Sequence, residues 1–234
     1  MDTVIQIRNI RKKFGKLKVL NGLNCSFQKN QVVCILGPNA SGKTTLIKSI
    51  LGMVVPDSGD IVFNGKSILN TFSYKSNIGY MPQIGRYPDN MKMGHLFEMM
   101  MDIRNRETHL DKELMEAFAL ESMFNKTMKT LSGGTRQKVS ASLAFLFSPQ
   151  VLILDEPTAG LDPLASEILK DKILKEKENG KLILVTSHIM SEVDEIADQI
   201  LYLFEGNIKF FKPIEELKSE TGEFRLGKAL TKIL

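Results

Sequence analysis

The residues of this chain with chemical capacity begin at Gly37, Pro38, Asn39, Ala40, Ser41, Gly42, Lys43 and Thr44, which fit the spacing G-x-x-x-x-G-K-[ST]. Glycines at that spacing let the backbone curl so that successive N–H groups point inward, and a helix starting at the lysine adds its positive end. Such a cradle takes phosphate. Lys43 would reach the β- and γ-phosphates of a nucleotide, the Thr44 hydroxyl would be a Mg2+ ligand, and Thr45 belongs with the phosphate contacts. A metal there needs an acidic partner, and "VLILDEP" supplies one: four apolar residues carry Asp155 to the carboxyl end of a buried strand, where α/β folds place ligands. Asp155 would hold Mg2+ directly or through water, which leaves Glu156 free to orient or deprotonate the attacking water. A third signal, Ser132, Gly133 and Gly134 in "LSGGTRQKVSASLAFLF", opens an apolar-periodic helix. A serine and bare glycines at a helix N-terminus make either a plain cap or a second anion cradle. One nucleotide has one γ-phosphate, so a second cradle belongs to another copy of the molecule.

Elements of both periods must position these residues. "QVVCIL" (31–36), "VLIL" (151–154) and "LILV" (182–185) read as buried strands, and "IVFNG" (61–65) and "NIGYM" (77–81) as short ones. "VIQI" (4–7) suits an edge strand, and "NGLNCSF" (21–27) another with its turn at Asn21-Gly22. "KTTLIKSILGM" has helical spacing, and Pro163 starts a helix with a charged face. "MKMGHLFEMMMDIRN" and "DKELMEAFALESM" form a helical, methionine-rich stretch that reads as an insertion from about 84 to 130. "QILYLF" and "NIKFF" close a hairpin around Glu205-Gly206, and a last short helix starts near Pro213. Strands alternating with helices predict an α/β fold with a mostly parallel sheet.

Composition narrows the class. At 234 residues, 43% hydrophobic and 25% charged, the chain suits one large globular domain or two small ones, with a substantial core. A net charge of +4 is too small to argue for nucleic acid, and no nucleic-acid partner is expected. The charge is nevertheless lopsided. Between Thr3 and Pro56 there are nine basic residues and no acidic one, either a solvated face or a field attracting a polyanion. No apolar run approaches the roughly 18 residues of a spanning helix, and the first ten residues lack a signal-peptide core. Cys25 and Cys34 match neither a disulfide framework nor a zinc spacing.

With these motifs in order, the chain resembles the ATP-binding subunit of ABC transporters along almost its whole length. "GPNASGKT" looks like the Walker A loop, "LSGGT" the signature, "VLILDE" Walker B, and "AGLD" (159–162) the D-loop. Gln83 in "YMPQ" looks like the Q-loop glutamine and His188 in "VTSH" the switch histidine. The resemblance implies a P-loop NTPase fold with an antiparallel β-subdomain, a helical subdomain near 84–140 and a C-terminal extension near 212–234. It implies ATP and Mg2+, a catalytic set of Lys43, Glu156 and His188, and metal contacts from Thr44, Gln83 and Asp155. It also implies a homodimer in which Ser132 and Gly134 of one copy meet ATP on the other and Asp162 acts across the interface. Position 135 is Thr where the family more often has Gln, and Phe14 stands where an adenine-stacking Tyr is common. A phenylalanine keeps the π-face.

The implied setting is an ABC-2-type exporter, with the subunit peripheral on the cytoplasmic face of a separate permease and docked through the helical subdomain. The segments "YMPQIGRYPDNMK" and "LSGGTRQKVSASLAFLFSPQVLILDEPTAGLDP" look particularly like the ATPase of the Nos system, which serves copper-enzyme maturation. Met91, Met93, Met99, Met100, Met101, Met115 and Met123 crowd the helical stretch and read as core or interface before copper ligands. An exporter of drugs, lipids or polysaccharide competes with the Nos reading. So does a soluble ATPase of Fe–S cluster assembly, whereas DNA-repair members need a long coiled coil that the spacing from Lys43 to Leu131 leaves no room for.

Overall fold

The computed structural model describes residues 3–104 and 110–234. Met1, Asp2 and the last residue of the first helical segment, Asn105, lie outside the described residues. In chain order the elements are β1 (Thr3–Phe14), β2 (Leu17–Gln28), β3 (Gln31–Leu36), α1 (Lys43–Ile50), β4 (Ser58–Phe63), β5 (Lys66–Ser67) and β6 (Ile78–Met81). Three helices follow: α2 (Met93–Ile103), α3 (Glu113–Ala117) and α4 (Gly133–Phe145). The remainder is β7 (Val151–Asp155), α5 (Pro163–Glu178), β8 (Leu182–Thr186), α6 (Met190–Ile196), β9 (Gln199–Phe204), β10 (Asn207–Pro213), α7 (Ile214–Thr221) and α8 (Leu226–Ile233).

The apolar runs build a six-stranded sheet in the order β10-β9-β3-β8-β7-β6. Every pairing in it is parallel except the closing β9–β10 hairpin. Its central strands β3 and β8 are buried at every position, as strands covered on both faces must be. A second, antiparallel sheet runs β2-β1-β4-β5. Its apolar face packs with α1 against one side of the main sheet. On the other side lie α2, α3, α4 and α5.

Because β6, β7, β8 and β3 run the same way, their carboxyl ends share one edge of the sheet. That edge is where residues of distant sequence meet: the loop after Leu36, Gln83 two residues past β6, Asp155 ending β7, and His188 two residues past β8.

Three expectations are corrected. The strand expected at 4–7 is no edge: β1 runs twelve residues between β2 and β4, because its basic residues Arg8, Arg11 and Lys13 point outward while Ile7 and Ile10 stay buried. The hairpin turns at Gly15-Lys16 and not at Asn21-Gly22. Gly22, at φ +89°, instead absorbs a register slip in which Ile10 pairs with Leu23 and Arg11 with Asn21, a bulge that bends the strand. The chain also ends in two helices rather than one. In α8, Leu226, Ala229 and Leu230 bury against β9, α6 and α7.

A buried ion network ties α5 to the α3 region. The Lys172 ammonium sits 2.6 Å from Asp111, 2.7 Å from Glu113 and 2.9 Å from Glu176, and Glu176 also pairs with Lys181. Burial works against ionisation of Glu176, yet hydrogen bonds from Lys181 and Lys172 outweigh it and hold its pKa below the usual carboxylate value. A depressed carboxylate stabilises the fold above its unfolded pKa, and that contribution drains away as pH falls below about 4.5 towards the folded value. Replacing Lys172 with Ala strips a cation from a buried carboxylate, and urea unfolding at neutral pH should register a loss of about 3 kcal/mol. Part of that deficit should vanish below pH 4, where Glu176 is protonated in the unfolded chain of both proteins.

Candidate nucleotide-binding site

The loop between β3 and α1 is built for close approach. Gly37 takes φ +147°, and a Cβ there would lie 2.1 Å from the Leu203 carbonyl oxygen, so no side chain fits without moving β9. Gly42, at φ +106°, caps α1, whose first residues Lys43, Thr44 and Thr45 therefore turn into the same hollow. The Lys43 ammonium donates to the Gly37 carbonyl at 2.7 Å and the Pro38 carbonyl at 3.0 Å. Burial lowers its pKa from the ordinary lysine value, and the charges of Glu156 and Asp155 offset part of that.

A cavity of about 490 Å3 opens over this loop. Asn39 to Thr45, Gln83, Asp155, Glu156 and His188 line it, so most of the residues singled out in the sequence do converge. Leu17, Val19 and Thr186 line it as well and were not expected. Thr186 had a readable signal, being the polar end of an apolar strand beside the one that ends in Asp155. Its hydroxyl donates to Asp155 Oδ1, and its carbonyl accepts the Glu156 N–H at 3.0 Å.

Glu156 adopts φ +51°, a left-handed conformation that is costly for a residue with a side chain. That bend carries its carboxylate away from the strand axis to 3.1 Å from His188 Nε2. Glu156 and His188 thus touch at the mouth of the loop. The set also suits the groups it would hold. The Ser41 hydroxyl is buried in the cradle with no hydrogen-bond partner among the described residues, an acceptor-seeking donor where phosphate oxygens would lie. The Thr44 hydroxyl, the Gln83 amide oxygen and the Asp155 carboxylate are oxygen ligands, the type Mg2+ prefers, with its remaining positions left to water and phosphate.

Other expected residues lie elsewhere. Ser132 caps α4 by accepting from the Thr135 N–H at 3.2 Å, is exposed, and with Gly134 stays outside the cavity, while Gly133 lines a separate groove. Thr135, which replaces the commoner Gln, donates its hydroxyl to or accepts from Ser132 Oγ at 2.9 Å. Asp162 Oδ2 accepts from the Lys138 ammonium at 2.7 Å and its Oδ1 caps α5 by accepting from the Ala165 N–H at 2.9 Å, and these two bonds keep its pKa below the usual carboxylate value. Phe14 is half exposed at the end of β1 with the Lys12 ammonium 5.4 Å from its ring centre, and the cavity is lined from that hairpin by Leu17 and Val19.

Loss of the Lys43 cation should be felt at once in binding. We expect Lys43→Ala to weaken ATP affinity by about 2 kcal/mol, roughly 30-fold, as measured by calorimetric titration.

Comparison with known proteins places this geometry. Residues 20–159 match the model of the ABC transporter family. The chain is 34% identical over 224 residues to Nod factor export ATP-binding protein I of Burkholderia lata, covering 93% of this chain and 74% of that protein. It is 34% identical over 210 residues to lantibiotic transport ATP-binding protein SrtF of Streptococcus pyogenes, covering 88% and 89% of the two. Daunorubicin resistance ATP-binding protein DrrA3 of Streptomyces coeruleorubidus is 30% identical over 98% of this chain and 74% of its own. Among solved structures, the ATP-binding subunit of an ABC transporter superposes with a TM-score of 0.88 at 24% identity over 98% of both chains. A nucleotide-free ATP-binding cassette of an ABC transporter gives 0.78 at 25% identity over 97% and 98%. The chain therefore belongs to the ABC transporter family, as an ATP-binding domain of its ATPase class.

Proposed function

We propose that this chain is the ATPase subunit of an ABC-2-type exporter, acting as a homodimer on the cytoplasmic face of a separate membrane permease. The observation that carries the reading is the contact of Glu156 with His188 at the mouth of a phosphate-shaped loop. In it the loop from Gly37 to Thr45 holds the phosphates, with Lys43 turning from its own carbonyls to the β- and γ-oxygens. Asp155, oriented by Thr186, would hold Mg2+ together with Thr44 and Gln83, and the ion would neutralise charge on the transferred phosphoryl group. Glu156 takes the proton of the attacking water, and His188 bridges that carboxylate to the γ-phosphate.

Ser132, Gly133 and Gly134 lie outside the cavity of their own chain, which fits a role against the nucleotide of a partner. Asp162 would act across the same interface, and Phe14 would stack on the base once nucleotide fills the cavity. The permease would dock on the helical segment. Among the described residues no helix is long and apolar enough to cross a membrane.

The Nod factor, lantibiotic and daunorubicin relatives favour an organic cargo. The resemblance to the Nos ATPase gains no copper site from six of the seven methionines: Met93 and Met115 are buried, Met91, Met100, Met101 and Met123 pack against the same core, and Met99 is exposed. Copper is left out of the proposal. Purified chain with ATP and Mg2+ should release phosphate and ADP in equal amounts, and tagged chain from its own cells should co-purify with a polytopic membrane protein. Phosphate release by the purified chain together with a failure to co-purify with any membrane protein would leave the soluble Fe–S assembly reading in its place.

A further inference from the structure

The contact between Glu156 and His188 joins two segments that belong to different strands. Glu156 follows β7, His188 follows β8, and each lies in a loop whose backbone could place its side chain in several directions. On the β7 side, the bend at Glu156 is held by two hydrogen bonds to Thr186, from its N–H to the carbonyl at 3.0 Å and to the hydroxyl at 3.1 Å. These fix where the bend starts. They do not fix the histidine, which comes after Thr186 and is more than half exposed.

A second tie closes the other end. The Thr158 hydroxyl, two residues beyond Glu156, donates to the carboxylate of Glu192, four residues beyond His188. Thr158 is buried, at 8% exposure, and Glu192 is half-buried in the first turn of α6. Among the described residues no cation pairs with this carboxylate. A half-buried carboxylate held by a neutral hydroxyl contributes less to stability than an apolar pair of the same shape would. Its place is better explained by what it spans. The ring Glu156–Thr158–Glu192–His188 is closed by two contacts, the Thr158 hydrogen bond and the 3.1 Å approach of His188 to Glu156.

We propose that Thr158 and Glu192 are positioning residues that hold the switch segment against β7, so that the His188 imidazole and the Glu156 carboxylate meet in the geometry needed for water activation. Neither touches the cavity over the phosphate loop. They act only through the pair they set. Catalytic groups displaced by even a fraction of an ångström lose rate while substrate binding persists. This inference rests on the proposed roles of Glu156 and His188.

The test is steady-state ATP hydrolysis by the full chain carrying Thr158→Val, Glu192→Leu, both together, and Thr158→Ser. We expect each of the first two to lower kcat about tenfold with KM for ATP within about twofold, because the interaction lost is made to the catalytic pair and not to the nucleotide. The double variant should be no slower than either single one, since both break the same bond. Thr158→Ser keeps the hydroxyl and should restore kcat to within about threefold of the parent. Thermal unfolding run in parallel reports any variant that is simply unstable, in which case the remaining single variant and the serine rescue carry the measurement. Parental kcat in the valine and leucine variants overturns the proposal. So does a loss that follows the unfolding temperature and is not restored by serine. If the unsubstituted chain itself fails to hydrolyse ATP, the proposed function falls and not merely this part of it.

Discussion

Glu156→Gln should keep ATP bound and nearly stop its hydrolysis. The amide has the carboxylate's shape, so the left-handed bend at φ +51° and the two hydrogen bonds from the residue 156 N–H to Thr186 are untouched. What goes is the negative charge that accepts a proton from water, while an amide oxygen can still face His188 Nε2, which lies 3.1 Å from the carboxylate in the parent. A positioned general base contributes about 100- to 10,000-fold, and a drop in kcat of that size is expected. ATP affinity by calorimetry should stay within about twofold, because in the proposed function the Lys43 loop and Asp155 carry the binding. Turnover at the parental rate would remove Glu156 from the role assigned to it.

Ser132→Arg should have an effect of similar size by a different route. The serine is exposed at the N-terminus of α4 and lies outside the cavity that its own chain forms around Lys43. If it served only as a cap, an arginine would cost the α4 N-terminus about 1 kcal/mol and leave catalysis alone. In the proposed composite site it would face the γ-phosphate of the partner's nucleotide, and the arginine side chain would fill that space. Removing one well-placed donor from a developing charge costs about 100-fold or more, so hydrolysis should fall by at least that factor while an isolated subunit still binds ATP. Mixing Ser132→Arg with Lys43→Ala generates heterodimers in which one site has lost both cradles and the other is whole. Activity of the mixture should exceed that of either variant alone.

Much of the site is legible in the sequence because each reactive residue is announced by the strand before it. "QVVCIL" precedes the loop at Gly37, "VLIL" precedes Asp155 and "LILV" precedes Thr186 and His188, and a parallel sheet brings those strand ends to one edge. The long-range ties are not legible. Nothing local marks Thr158 and Glu192 as partners, since they are 34 positions apart and each looks like a routine loop or helix residue. The Lys172 network joins residues 59 to 61 positions apart for the same reason.

The local errors have local causes. Asn21-Gly22 has the composition of a hairpin turn, yet the turn fell at Gly15-Lys16 because β1 continues past Ile7 with its charges outward. The apolar spacing of Leu226, Ala229, Leu230 and Ile233 is a helical pattern that the expectation of a single last helix passed over.

The proposed function requires ATP to be held between two copies of this chain. Glu156→Gln with saturating ATP and Mg2+, examined by gel filtration with light scattering, tests it most directly. Hydrolysis being stalled, the account predicts a species of twice the 26.3 kDa chain mass that carries one ATP per subunit and reverts to monomer when Ser132→Arg is added. A monomer that retains ATP at every protein concentration would contradict it.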